Sequence, residues 1–259
     1  GIRADGHADP EPAKSPRRPA MSRTFLITGT DTGVGKTVVT AALAAAFIAA
    51  GERVHVHKPV QTGVAAGAAG DVAEVERLVP HVSTSEGLRL TEPMAPVPAA
   101  RIERVRLPYL TRQLEQLPAL RGAADVLLVE GAGGLLVQLG GRGETIADLA
   151  AEARAPLIVV TRAGLGTLNH TELTLEAIAH RGLRAAGLVI GSWPARPGVI
   201  ERTNRHHLAG LGVPLLGALP AGADGLAPSE FQRLAPGWFQ DLPRAIADPF
   251  LGQHDEGHL

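Results

Sequence analysis

The stretch Gly29-Thr-Asp-Thr-Gly-Val-Gly-Lys-Thr37 combines the residue types that hold phosphate. Glycines let consecutive backbone N–H groups curl round an anion, and a helix that starts there aims its positive end at the same point. Lys36 is spaced to reach the outer phosphates of a nucleotide, and Thr37 to offer a hydroxyl to Mg²⁺. The strict phosphate loop has four residues between its first Gly and the Gly before the Lys. Here five separate Gly29 from Gly35. The competing explanation is a Gly-rich turn that merely precedes a helix.

Three more charged residues fall where such a loop needs them. Lys58-Pro-Val-Gln-Thr-Gly63 follows an apolar run and brings a second cation and a hydroxyl residue. Taken alone it is equally a lysine whose stem covers a strand end. Glu130-Gly-Ala-Gly-Gly134 puts a carboxylate at a strand tip before glycines that allow close backbone approach, which resembles a Walker B arrangement. With Thr37, Glu130 supplies the oxygen donors a hard cation prefers. Asp71 begins a helical pattern and is either a helix cap or a third acidic ligand. Asn169 reads as the cap of the helix that starts there. His55 and His57 alternate along a strand with no third ligand in view, so they read as structural. No G-x-S-x-G pattern or other nucleophile constellation is present.

Positioning these groups requires strands and helices in alternation. Short apolar runs at Thr24–Thr28, Val54–His57, Val126–Val129, Leu157–Thr161, Ala186–Ile190 and Pro214–Ala218 read as strands. Helical patterns occupy Val38–Ala50, Asp71–Val79, Leu110–Arg121, Ile146–Ala153, Asn169–Arg181 and Val199–Leu208. The alternation predicts a single α/β domain, a doubly wound and mostly parallel sheet of the P-loop NTPase kind with helices on both faces. Ligands of such sheets bind outside the carboxyl ends of the strands, so residues just after each strand matter most. Leu88–Pro108, rich in proline, is the least regular stretch and reads as a substrate loop.

Bulk properties narrow the field. At 259 residues and 45% hydrophobic content, the chain can bury one good core, and nothing forces a second domain. A net charge of −1 and eight aromatic residues argue against a nucleic-acid partner. With no cysteine, thiolate catalysis and disulfides are excluded, and a reducing cytoplasm is the expected location. No apolar run approaches the roughly 20 residues of a membrane span. Residues 1–20 read as a disordered leader or tag remnant, residues 21–245 as the P-loop domain, and residues 246–259 as a polar tail. Arg17-Arg18 is not read as an export signal, because the apolar run behind it leads straight into the phosphate loop.

Together, Gly29–Thr37, Lys58–Gly63, Glu92-Pro93 followed by Pro96, Glu130–Gly134 and Gly166-Thr-Leu-Asn-His170 closely resemble the dethiobiotin synthetases, from about Ser22 to about Pro220. That family shares the five-residue spacing. The resemblance implies an ATP-dependent ring closure in biotin synthesis: 7,8-diaminopelargonate and CO₂ form a carbamate, which is phosphorylated and cyclised with release of ADP and phosphate. It further implies that Lys58 contacts carbamate and phosphate, and that Lys36 with the backbone of Gly33, Val34, Gly35, Thr37 and Val38 holds the triphosphate. Thr32 and Thr62 would line the reacting group and substrate. Thr37, Asp71 and Glu130 match the magnesium ligands, and Gly131, Ala132 and Gly133 border the nucleotide. The substrate would lie at a homodimer interface, reached by Asn169 of the neighbouring subunit.

Two positions depart from the family pattern. Gly191-Ser192-Trp193 stands where many relatives carry Asn-Asp, so the side-chain amide that reads adenine is missing and other nucleoside triphosphates are expected to be accepted. Pro220, Ala221 and Gly222 match a backbone segment at the other edge of the base. Gly33 replaces a Glu of some relatives, freeing the loop to bend. Two other functions compete. A corrin-precursor amidase would carry a glutaminase domain with a nucleophilic cysteine, which this chain lacks. An ATP switch of the partitioning type would carry a signature lysine where Asp31 stands, and a basic amphipathic tail.

Overall fold

The computed structural model describes residues 22–240 and 242. The boundaries expected at residues 20 and 246, and the tail histidines, lie outside them. Seven parallel strands form one sheet in the order β3-β2-β4-β1-β5-β6-β7. They are β1 Arg23–Gly29, β2 Val54–Gln61, β3 Ser83–Arg89, β4 Val126–Gly134, β5 Leu157–Thr161, β6 Ala185–Trp193 and β7 Leu215–Pro220. The helices are α1 Lys36–Ala49, α2 Asp71–Leu78, α3 Pro96–Glu103, α4 Leu110–Gly122, α5 Ile146–Ala153, α6 Thr167–His180, α7 Val199–Ala209 and α8 Pro228–Leu234.

A strand buried on both faces reads as an unbroken apolar run, and β1, β4 and β5 do. Alternate residues divide between two cores. Phe25, Ile27, Val126, Leu128, Ile158 and Val160 join Val39, Leu43 and Phe47 of α1, with α2 and α8 beside it. Leu26, Leu127, Val129, Leu157 and Val159 point the other way, onto Ile146, Leu149, Ile178 and Leu208 from α5, α6 and α7. Helix α1 is rich in alanine, and Ala41, Ala42, Ala44, Ala45 and Ala46 are all buried, which lets its backbone lie close to the sheet.

The chain runs from β1 outward to β2 and β3, returns to β4 between β2 and β1, and then continues to β5, β6 and β7 on the far side. The order reverses at the β1/β4 pair. Crevices at the carboxyl ends of strands open at such a switch point. Here that point is occupied by the loop after β1 and by Glu130, which stands opposite Ile27 in the register.

Several elements differ from the sequence-based expectation. β2 continues past His57 to Gln61, so Lys58 lies inside a strand rather than after it, and β4 likewise runs through Glu130 to Gly134. Lys58 sits where β2 leaves β4, whose pairing ends at His57 opposite Val129. β3 was not expected: its sequence Ser-Thr-Ser-Glu-Gly-Leu-Arg is polar because the strand is an edge and has no fully buried residue. Helix α3 lies within the stretch expected to be irregular, started by Pro96 at its first position, and α8 is also additional. The cap of α6 is Gly166, and Asn169 falls inside its first turn.

Candidate active site

The loop between β1 and α1 is shaped for an anion. Gly35 caps α1 in the left-handed region at φ 96°, a conformation glycine adopts without a Cβ penalty, and no side chain caps the helix. By contrast, α5 is closed by a reciprocal pair in which Thr145 and Asp148 satisfy each other's backbone N–H groups. The open first turn of α1 therefore keeps its orphan N–H donors for a ligand. Thr30 N–H donates to the Val160 carbonyl at 2.9 Å, tying the loop to β5. Lys36 donates to the Asp31 carbonyl at 3.2 Å, folded over the loop it belongs to.

Facing this loop is an ionic cluster. The ammonium of Lys58 lies 2.6 Å from Asp71 Oδ2 and 2.8 Å from Glu130 Oε1, and it also donates to the Gly131 carbonyl at 3.0 Å. Glu130 Oε1 accepts a further hydrogen bond from Thr37 Oγ1 at 3.0 Å. Glu130 and Lys58 are buried, at 1% and 3% exposure. Charges that deep persist only when paired and hydrogen-bonded. Burial acts to lower the Lys58 pKa, but Glu130 and Asp71 outweigh it and hold the ammonium above the ordinary lysine value. Lys36 moves the other way, lowered by burial and then by repulsion from Lys58.

Gln61 sets the position of Asp71. Its Oε1 accepts the Asp71 N–H at 2.8 Å and its Nε2 donates to the Thr62 carbonyl at 3.0 Å, so the start of α2 is tied to the end of β2. The cap of α2 is Gly70, and Asp71 is the first helical residue, its carboxylate turned to Lys58 rather than to capping. The oxygens gathered here, two carboxylates and the Thr37 hydroxyl, suit a hard divalent cation. Among the described residues no cluster of three or more His, Cys, Asp or Glu is present. A bound Mg²⁺ would thus draw its other ligands from water or phosphate.

One cleft of about 410 Å³ gathers most of the expected residues: Thr32, Gly33, Gly35, Lys36, Thr37, Val38, Lys58, Thr62, Asp71, Glu130, Ala132 and Gly133, together with Gln61. The others lie outside its lining. Val34 is buried in the core. Gly131 contributes its carbonyl to Lys58. Gly191 packs against the loop so tightly that a Cβ there would stand 1.9 Å from the Val34 carbonyl oxygen. Ser192 is exposed beside it. Trp193 pairs with Pro220 across β6 and β7, and the Ala221 N–H donates to the Trp193 carbonyl at 2.8 Å, ahead of the turn at Gly222. Asn169 is exposed on α6, apart from the cleft of its own chain. His55 and His57 are bonded to Ser83 and Ser85 of β3 and lie outside the lining of the cleft.

Sequence reasoning missed Gln61 and Arg162. The Arg162 side chain follows β5, donates to the Thr32 carbonyl at 2.8 Å and pairs with Asp31 at 3.2 Å, bracing the front of the loop. One signal for the site lay in composition. The chain has only three lysines, Lys14, Lys36 and Lys58, against 22 arginines. Two of the three meet in this cleft. A compact ammonium fits a site of single-atom ligands where a planar guanidinium does not.

Comparison with known proteins matches residues 23–228 to a family described as an AAA domain. Among curated relatives, the ATP-dependent dethiobiotin synthetase BioD of Rhodococcus jostii (strain RHA1) is 52% identical over 216 residues, covering 83% of this chain and 94% of the relative. The protein of the same name from Streptomyces coelicolor is 50% identical over 233 residues, covering 89% and 94%. Solved structures share the fold at lower identity. The septum site-determining protein MinD from Pyrococcus horikoshii, complexed with Mg-ADP, has a TM-score of 0.55 at 16% identity, with 84% of this chain and 91% of that one covered. Cobyrinic acid a,c-diamide synthase from Mycobacterium smegmatis, with a bound ATP analog and magnesium, has 0.50 at 18%, covering 83% and 92%. Half of all positions identical across nearly the whole length of these relatives, on a P-loop NTPase fold, settles the assignment: the chain belongs to the family of ATP-dependent dethiobiotin synthetases.

Proposed function

We infer that the protein closes the ureido ring of dethiobiotin from 7,8-diaminopelargonate and CO₂ with hydrolysis of ATP, in biotin biosynthesis. Membership of the family carries the reaction. The convergence of Lys36 and Lys58 at one phosphate loop supports its placement in the cleft. One amine of the substrate adds to CO₂ and loses a proton to give a carbamate. A carbamate oxygen attacks the γ-phosphorus, ADP leaves, and a carbamic–phosphoric anhydride forms. The second amine then attacks the carbonyl carbon, phosphate departs, and the ring is closed.

Each anionic partner repels the next, so the protein's task is to gather positive charge where phosphoryl transfer occurs. In this reading Lys36 and the backbone N–H groups of Gly33 to Val38 hold the triphosphate, and Lys58 serves the carbamate and the transferring phosphoryl group. Thr32 lines the reacting group and Thr62 the diamine. Gly131, Ala132 and Gly133 border the nucleotide, and Gly191, Ser192, Pro220, Ala221 and Gly222 border the base. Thr37, Asp71 and Glu130 would hold Mg²⁺, which when bound offsets phosphate charge. The oxygen-only donor set supports that choice.

The active form is a homodimer on this reading. Asn169 is exposed and outside its own cleft, and Leu165 and Leu173 close to it in sequence are 88% and 56% exposed, an apolar setting suited to a second copy. A cysteine-free chain suits the cytoplasm, and among the described residues no helix is long and apolar enough to cross a membrane. The test is phosphate release with Mg-ATP and bicarbonate, with and without the diamine, beside mass detection of dethiobiotin. Diamine-dependent release with product is expected. Diamine-independent hydrolysis would overturn the reading.

A further inference from the structure

Every donor of the Lys58 ammonium is already taken. An ammonium carries three N–H donors, and those of Lys58 meet three acceptors: Asp71 Oδ2, Glu130 Oε1 and the Gly131 carbonyl. The group proposed to serve the carbamate is thus fully engaged elsewhere, with its side chain 4% exposed. Its two carboxylate partners are the same residues whose oxygens suit a divalent cation. A divalent ion bound to Asp71 and Glu130 would stand beside the ammonium that already holds Asp71 Oδ2 and Glu130 Oε1, and the two cations repel at that range.

We propose that Lys58 is the resident cation of the Asp71–Glu130 pair and exchanges with the divalent ion, so that loading the metal releases Lys58 toward the reacting carbamate. The proposal rests on Thr37, Asp71 and Glu130 as the metal ligands. It gives the buried Glu130 carboxylate a partner from the protein itself before any nucleotide arrives. It also orders events. Nucleotide without metal leaves Lys58 locked to the carboxylates, and metal without nucleotide must displace an ammonium held by three contacts. Thr37 donates its hydroxyl hydrogen to Glu130 in this state, which leaves its oxygen lone pairs for the ion.

The test is Mn²⁺ binding, followed by calorimetry or electron paramagnetic resonance on nucleotide-free protein. Lys58→Met should bind Mn²⁺ at least tenfold more tightly than the wild type, and Lys58→Met/Glu130→Gln should lose that gain. Equal or weaker binding by Lys58→Met would overturn the exchange. Should that variant not fold, the wild type decides the matter. With only three lysines, ¹⁵N-lysine labelling isolates the Lys58 ammonium signal, identified by its absence from Lys58→Arg. The signal should hold its position with ADP and a chelator and shift with Mg-ADP. A signal that is the same in both states, with metal bound, refutes the proposal. Diamine-dependent turnover with unchanged Mn²⁺ affinities would sink the exchange and leave the reaction standing. Exchange without such turnover would do the reverse.

Discussion

Gly191, proposed to border the base, packs directly against the loop between β1 and α1, and adding one methyl group tests that contact. A Cβ placed on Gly191 would stand 1.9 Å from the Val34 carbonyl oxygen, 2.9 Å from Val160 Cγ1 and 3.0 Å from the Val34 carbonyl carbon, where real Cβ contacts essentially never fall below 3.0 Å. Neither strand β6 nor the buried β5 can yield, so the loop must retreat by about 1 Å. Overpacking of this kind costs about 1–3 kcal/mol. Because the displaced atoms belong to the loop that cradles phosphate, Gly191→Ala should weaken ATP binding by about 5- to 150-fold. Its Tm should fall by roughly 2–12 °C. Isothermal titration with a non-hydrolysable ATP analogue and thermal denaturation measure both. Gly191→Asn, which restores the amide of many relatives, should lose affinity for ATP and GTP alike rather than gain adenine selectivity. Wild-type affinity and Tm in Gly191→Ala would refute the close-approach reasoning. The accompanying proposal, that the wild type accepts other nucleoside triphosphates, fails if only ATP supports turnover at matched concentrations.

Lys58→Ala should abolish turnover, and it should also destabilise the metal-free protein by about 3–5 kcal/mol, because it strands the buried Glu130 carboxylate; a melt with and without Mg²⁺ separates the two effects. Lys36→Ala should raise the Kd for ATP at least tenfold with little change in Tm, checked by the same titration. Arg162→Ala removes a half-exposed brace worth about 1 kcal/mol or less to stability. It should raise the ATP Kd up to about fivefold, and Asp31→Ala should add little to it in a double-mutant cycle. Burial, and then the charge of His55, pull the His57 pKa down to about 4. The unfolded chain, titrating near 6.5, binds the proton first, so stability is complete above about pH 6.5 and falls as the pH drops toward 4. The loss is on the order of 3 kcal/mol, and it should be absent from the pH dependence of Tm in His57→Gln.

What could be read in advance divides along one physical line. β1, β4 and β5 are buried on both faces and are written as apolar runs, so their positions and the α/β class were legible, whereas the strand order and its switch point come from the structure. β3 was not, because its partner contributes His55 and His57 and its own Ser83 and Ser85 answer them with hydroxyls. A polar ladder on an edge strand carries no hydrophobic period. The same blindness shortened β2 at His57: Lys58 reads as a strand end because it is charged, whereas it continues the strand because Asp71 and Glu130 neutralise it. Asn169 reads as a cap by its type, yet Gly166 takes that place. The exposed amide is then free for a role that residue type alone cannot separate from capping. Where burial rests on apolar surface, period and propensity reveal it. Where it rests on a charge pair drawn from β2, α2 and β4, residues far apart in the chain, up to 72 positions for Lys58 and Glu130, must be brought together first. In this chain the Gly-Lys-Thr loop, the charged residues beside apolar runs and the scarcity of lysine, three residues against 22 arginines, mark Lys36, Lys58 and Glu130 before the fold is known, but not the pairing among Lys58, Asp71 and Glu130. Among the described residues lysine stands only at two buried positions, Lys36 and Lys58, where a single compact nitrogen faces oxygen atoms at close range.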